Sequence, residues 1–273
     1  MTENNRIRRV YHARSERGIF RRYSLFIAGE LYMLQRREEE TLRLLRGQGI
    51  TDLRHLRILE IGCGRGNRLT DWIRWGASAS LLHGIDLVEA FVREASNSLP
   101  TAKLLVGSAA QLPYKDSSFD IVVQLTVLSS IIDANVRRAV AREMARVVRP
   151  TGLMIWYDFR YPSPKNPDVH PIGLSELNEL YRGWEVSPKS MTLLPPLSRK
   201  LARVSFCACR CLEMLYRRSE AITSRLCGKQ SCDADCIVRD SDILGERRFA
   251  GLYLLGIWSD PPNPRSLDSR ARS

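Results

Sequence analysis

From Leu56 onward, short apolar runs alternate with amphipathic stretches. Leu56 to Ile61 predicts a first strand and Asn67 to Trp75 a helix. Leu81 to Asp86 predicts a second strand, followed by a helix over Val88 to Asn97 that ends before Pro100. Ala102 to Val106 and the Val/Ile-rich Phe119 to Thr126 predict strands three and four. Val136 to Val148 has helical spacing and stops at Arg149-Pro150-Thr151-Gly152, before a fifth strand over Leu153 to Phe159. Strands that alternate with helices of this length build βαβ units and a mostly parallel sheet covered on both faces. The crossovers should be right-handed.

The flanks read differently. Residues 1–54 predict a helical extension, because Leu31, Leu34, Leu42 and Leu45 recur at helical spacing between charged residues and Gly47-Gln48-Gly49 stops the run. The proline-rich stretch from Tyr161 to Asp168 predicts a loop over one sheet edge. Leu174 to Tyr181 predicts a short helix, Trp184 to Leu194 a sixth strand and Leu197 to Tyr216 a helical insert. Ala221 to Gln230 is the expected last strand. The Pro- and Arg-rich end predicts a poorly ordered tail. The expected organisation is an extension over 1–54, a main domain over 55–230 and a tail over 231–273. The fold class is α/β, a Rossmann-like seven-stranded mostly parallel sheet with helices on both faces. It carries an N-terminal helical extension and a helical insert before the last strand.

Between the first strand and its helix lies Glu60-Ile61-Gly62-Cys63-Gly64-Arg65-Gly66-Asn67. Glycine tolerates positive φ and lets a ligand approach the backbone. A dinucleotide fingerprint would place its third glycine at position 67. The glycine is at 66, and Glu60 precedes the loop. An acid there suits a cationic ligand better than a pyrophosphate. Asp86 ends the second strand, where a carboxylate can accept hydrogen bonds from both hydroxyls of a ribose; its plainer role is a helix cap.

The form E-x-G-x-G-x-G resembles motif I of the class I S-adenosylmethionine (SAM)-dependent methyltransferases. Leu112-Pro113-Tyr114 with Ser118-Phe119-Asp120, and Arg149-Pro150-Thr151-Gly152, also resemble runs of the small-molecule members. The resemblance spans about residues 56 to 160. It implies that Glu60, Gly62, Cys63, Gly64, Gly66, Asn67, Asp86, Leu87, Ser108, Ala109, Gln124 and Leu125 hold SAM. Ser108 stands where the family often has an acid, which loosens the expected grip on adenine. Asp120 is expected to support the fold. Tyr23 and Gln35-Arg36 are candidates to close over the ligand. Asp158 and His170 are the candidate general bases for methyl transfer to oxygen. No metal triad is evident, so the expected reaction needs no metal.

Composition narrows the partners. The chain of 273 residues carries 42 basic against 30 acidic side chains, a net charge of +12. The basic residues are spread along the chain and nearly all are arginine, which argues against a specific nucleic-acid role. No apolar run reaches a membrane span. The expected location is the cytoplasm, with peripheral membrane contact allowed. The seven cysteines do not form a metal signature: Cys227, Cys232 and Cys236 lack a C-x-x-C pair, and Cys207 and Cys211 share a helix face that Cys209 does not. Asp260-Pro261-Pro262-Asn263 copies an element of amine methyltransferases in the wrong place. The expected activity is methyl transfer to a small molecule, at oxygen of a sugar, lipid-linked or secondary-metabolite acceptor. The aromatic and apolar residues Phe206, Leu212, Met214, Leu215 and Tyr216 line its pocket or belong to the core. RNA or protein methylation, and a non-catalytic SAM-fold binding protein, are the alternatives.

Overall fold

The computed structural model describes residues 2–159, 166–192, 195–215 and 248–254. Helices α1 (Glu3–Glu16) and α2 (Ala28–Gly47), joined through a 3-10 helix at Ile19–Tyr23, precede the sheet. Then follow β1 (Ile58–Ile61), α3 (Asn67–Arg74), β2 (Leu82–Asp86), α4 (Glu89–Ser98), β3 (Lys103–Val106) and β4 (Phe119–Leu125). The chain continues through α5 (Ala134–Val147), β5 (Val148–Phe159), α6 (Leu174–Leu180), β6 (Glu185–Thr192) and α7 (Pro195–Leu201). A helix α8 covers 206–215, and β7 is Arg248–Leu254.

The sheet order is β3-β2-β1-β4-β5-β7-β6, and the paired strands are parallel. Ile58, Leu59 and Ile61 of β1 are fully buried, as a central strand covered on both faces requires. Alternation splits the core. Leu59, Ile61, Val122 and Trp156 face α5 through Val140, Ala141 and Met144. Ile58, Ile121, Val123 and Tyr157 face the other way, onto Leu69 and Trp72 of α3 and Leu45 of α2. Ile61 is level with Ile85 of β2 and Gln124 of β4, so the carboxyl ends of the three central strands form one rim. In open parallel sheets, ligands bind at such a rim.

Helix α5 is capped by Asp133, whose carboxylate accepts from the amides of Asn135 at 2.8 Å and Val136 at 3.2 Å. Strand β5 starts at Val148, without the turn expected before Leu153. Its pairing with β4 shifts between Phe119 and Ile121. A Cβ on Gly152 would lie 2.7 Å from Val148 Cγ2 and 2.9 Å from the Asp120 carbonyl, so any larger residue at this irregularity would force its neighbours to shift. Asp120 supports the fold as expected: its Oδ2 accepts from the Arg57 amide at 2.8 Å, and it pairs with Arg149.

The N-terminal extension consists of two helices, α1 and α2. Strand β7 comes from the segment read as a tail, so the boundary at 230 does not end the domain; the expected strand at Ala221 to Gln230 lies outside the described residues, as do Tyr216, Cys227, Cys232, Cys236 and Asp260 to Asn263. The insert, α7 and α8, is fastened to α2. A Cβ on Gly29 would meet Arg199 Cα at 2.6 Å, Phe206 packs edge-on against Tyr32 at 5.4 Å, and buried Arg36 donates to Glu39, Glu40 and Glu213. Leu212, Met214 and Leu215 are exposed rather than core residues. Cys209 is buried while Cys207 and Cys211 are exposed. Among the described residues no helix is long and apolar enough to cross a membrane, and no group of three or more His, Cys, Asp or Glu side chains could hold a metal.

Candidate functional site

At the rim, Gly62, Gly64 and Gly66 all take left-handed φ, at 68°, 52° and 80°. That conformation explains why all three are glycine. They have different neighbours. A Cβ on Gly62 would lie 2.4 Å from Val127 Cγ2, and one on Gly66 3.1 Å from Ala95 and Leu99 of α4. A Cβ on Gly64 would meet nothing within 4 Å. Gly64 therefore opens onto the space above the rim, whereas Gly66 starts α3 and seats it against α4.

The loop is held by β2. The amides of Gly62 and Cys63 donate to the Ile85 carbonyl at 2.8 and 3.1 Å. The Gly64 amide donates to Asp86 Oδ2 at 2.9 Å, and the Val88 amide to Asp86 Oδ1 at 2.8 Å. Asp86 thus ties two loops together. It is not the cap of α4, since Val88 holds that position. Burial raises its carboxyl above the usual carboxylate range, against the backbone amides that lower it. Each oxygen keeps a lone pair for a further donor.

Glu60 is 2% exposed, and its Oε2 has no hydrogen-bond partner. A buried polar atom without a partner costs on the order of 1–3 kcal/mol, more if charged. Burial pushes this carboxyl well above its usual range, while Arg68 and Arg37 pull it back. The Cys63 thiol packs beneath Gly84, where a Cβ would lie 2.8 Å from its Sγ, and burial raises it too.

These groups share a cavity of about 580 Å³ between the sheet rim and the N-terminal helices. Glu60, Gly62, Cys63, Gly64, Asn67, Asp86, Leu87, Ser108, Ala109 and Leu125 line it. Four other sequence candidates do not. Gly66 faces α4. Gln124 is fully buried, its Nε2 donating to Asp158 Oδ2 at 3.0 Å and its Oε1 accepting from the Val127 amide at 2.7 Å. Asp158 is also fully buried and accepts from Trp156 Nε1 at 3.1 Å and the Ser129 amide at 3.2 Å. Burial raises its carboxyl to about 6. His170 bonds to Glu176 at 2.8 Å, outside the cavity. Neither candidate base reaches the space where a substrate could sit.

The physical reason is strand alternation. Leu125, Tyr157 and Phe159 line the cavity, so Gln124 and Asp158 must point to the other face, where they bond to each other and clamp the turn after β4. The N-terminal helices repeat the lesson at the helical period. Arg36 turns away into the ion network with Glu213. Arg37, about 100° further round the helix, lines the cavity with its guanidinium 5.4 Å from the centre of the buried Tyr157 ring. Tyr23 lines the cavity as expected. Sequence reading missed Tyr11, Met33, Leu34, Arg37 and Arg68. Their signal was the inner face of each helix, visible only once its rotation is fixed.

Ionic groups mark one end. Arg37 and Arg68 stand with Glu60 there, and Arg68 is paired with Asp71 at 2.6 Å. Apolar side chains from Ile7, Ile19, Leu25, Met33, Leu34 and Phe159 cover much of the rest. Glu30 is held by Arg199 through contacts of 2.7 and 2.9 Å. An unpartnered buried acid beside two cations, an open glycine loop and a carboxylate with spare lone pairs together suit a zwitterionic nucleoside.

The profile of a methyltransferase domain matches residues 59–156. The phthiotriol/phenolphthiotriol dimycocerosates methyltransferase 1 of Mycobacterium ulcerans is 35% identical over 106 residues, 38% of each chain. The 27-O-demethylrifamycin SV methyltransferase of Amycolatopsis mediterranei is 37% identical over 137 residues, 46% of this chain and 48% of that one. The chain thus matches less than half the length of these relatives. The crystal structure of magnesium protoporphyrin IX methyltransferase from Synechocystis PCC 6803 with bound SAM superposes with a TM-score of 0.47 at 17% identity, over 66% of this chain and 84% of that one. Residues 59–156 are thus similar to a methyltransferase domain, and the relatives they match are methyltransferases.

Proposed function

We propose that this chain methylates a small, largely apolar acceptor at oxygen. The observation that carries the reading is one cavity with a polar end suited to SAM and a remainder walled largely by apolar side chains, with Glu30 and Arg199 paired to each other. In this reading Glu60 meets the amino group of SAM, and Arg37 and Arg68 its carboxylate. Asp86 takes the ribose, and Leu87, Ser108 and Ala109 border the adenine. Strands β7 and β6 complete a seven-stranded sheet of the class.

SAM supplies a methyl group already activated on sulfonium. The protein's part is then to align the acceptor and keep water away, effects that together can provide much of the rate. That suits a cavity into which neither Asp158 nor His170 reaches. The names of the relatives, a phthiotriol/phenolphthiotriol dimycocerosates methyltransferase and a 27-O-demethylrifamycin SV methyltransferase, support a lipid-linked or secondary-metabolite acceptor.

The test is transfer of label from methyl-tritiated SAM to a panel of hydroxylated lipids, polyketides and sugars, followed by organic extraction. Label entering the organic phase is expected. Label found only in RNA or protein would overturn the acceptor class, and no transfer to any acceptor would favour a binding protein.

A further inference from the structure

We propose that the turn between the 3-10 helix and α2 docks on an anionic lipid surface and sets the cavity mouth against it. Phe26 at its tip is 103% exposed, with Leu25 at 51% and Tyr23 at 44%. Apolar side chains grouped this way at a tip mark an interaction site more often than scattered ones do. Tyr23 and Leu25 also line the cavity, whereas Phe26 does not. The apolar tip is therefore continuous with the apolar wall inside. The tip has a fixed shape: the Ser24 amide donates to the Arg21 carbonyl at 3.2 Å, the Ile27 amide to the Ser24 carbonyl at 3.0 Å, and the Phe26 amide to Ser24 Oγ at 3.4 Å.

Charge selects the partner. Residues 1–27 contain seven arginines against Glu3 and Glu16. Arg17 and Arg21 are exposed and form no ion pair among the described residues, and a Cβ on Gly18 would lie 4.0 Å from Arg21 Cδ, which places that side chain back along the turn. Exposed Phe and Leu beside arginine suit the boundary between headgroups and acyl chains. Arginines close to an anionic leaflet are drawn to its negative surface potential. A stable protein interface buries about 800 Å² per partner around an apolar centre poor in charge. Three apolar side chains beside arginines do not resemble that. The purpose rests on the reading above: an apolar acceptor could pass from the bilayer into the cavity without crossing water.

The test is flotation of the full chain with vesicles of phosphatidylcholine alone or mixed with phosphatidylglycerol. Calorimetry with S-adenosylhomocysteine runs alongside, so that a lost cofactor site is seen separately. Binding to the mixed vesicles is expected, weakened by salt and far weaker on neutral ones. Phe26→Ser should reduce it by about tenfold, the worth of one buried aromatic. Arg17→Glu with Arg21→Glu should do the same, and both variants should keep the nucleoside affinity. No flotation, equal flotation on neutral vesicles, or flotation untouched by Phe26→Ser would overturn the proposal. So would a dimer in sedimentation that Phe26→Ser dissolves, since a second copy would then cover the tip.

Discussion

Glu60 shows how binding and stability conflict in one side chain. Its folded-state carboxyl is raised above the unfolded value, with burial as the first cause. A raised group contributes stability that is fully present below the unfolded pKa and is lost as pH rises through the folded one. Glu60→Gln should therefore raise the melting temperature of the unliganded protein near neutral pH and change it little at pH 4. The same variant should weaken S-adenosylhomocysteine binding, because a charge-assisted bond to the ligand's ammonium is lost. Binding should also release a proton, seen as a dependence of the calorimetric heat on buffer ionisation enthalpy, and Glu60→Gln should remove that dependence. Arg37 allows a sharper separation. Arg37→Met should weaken S-adenosylhomocysteine by about tenfold, the worth of a hydrogen bond to a charged group. It should leave 5′-methylthioadenosine, which lacks the amino acid, unchanged. Equal loss for both ligands would show that Arg37 only holds α2 in place.

At the scale of elements, much of the sheet was legible. The βα alternation from β1 to β5 follows from apolar runs and glycine stops, and β2 and β4 fall within a residue of their expected bounds. What failed was orientation. Sequence resemblance puts both Gln124 and Leu125 at the ligand, yet neighbours on a strand face opposite sides. Sequence points to Gln35-Arg36 and misses Arg37 because an isolated helix pattern does not reveal which side faces the sheet. Strand β7 was not legible because nothing local distinguishes an apolar run joined to the sheet from one in a tail. The β4–β5 junction offers a test at this scale. Gly152→Ala places a Cβ 2.7 Å from Val148 and 2.9 Å from a backbone carbonyl, so it should cost roughly 1–3 kcal/mol, the usual range for overpacking. Gly47→Ala meets no atom within 4 Å and serves as the control in urea denaturation.

In the whole molecule, the cofactor side is built from contiguous motifs and the acceptor side from distant ones. The glycine loop and Asp86 lie in one βαβ unit, which is why sequence found them. The far wall of the cavity comes from α1, α2 and Arg199 on α7, elements brought together only by folding. On the proposed function, specificity for the acceptor would reside in the segments outside the matched domain. The proposed methyl transfer requires SAM at the rim. The most direct test is calorimetric titration of S-adenosylhomocysteine into the full chain and into Asp86→Ala. The account predicts one site per chain, weakened by about ten- to a hundredfold in the variant as two charge-assisted bonds are lost. Absence of binding to the wild-type chain at millimolar ligand, or an affinity that Asp86→Ala leaves unchanged, would contradict it.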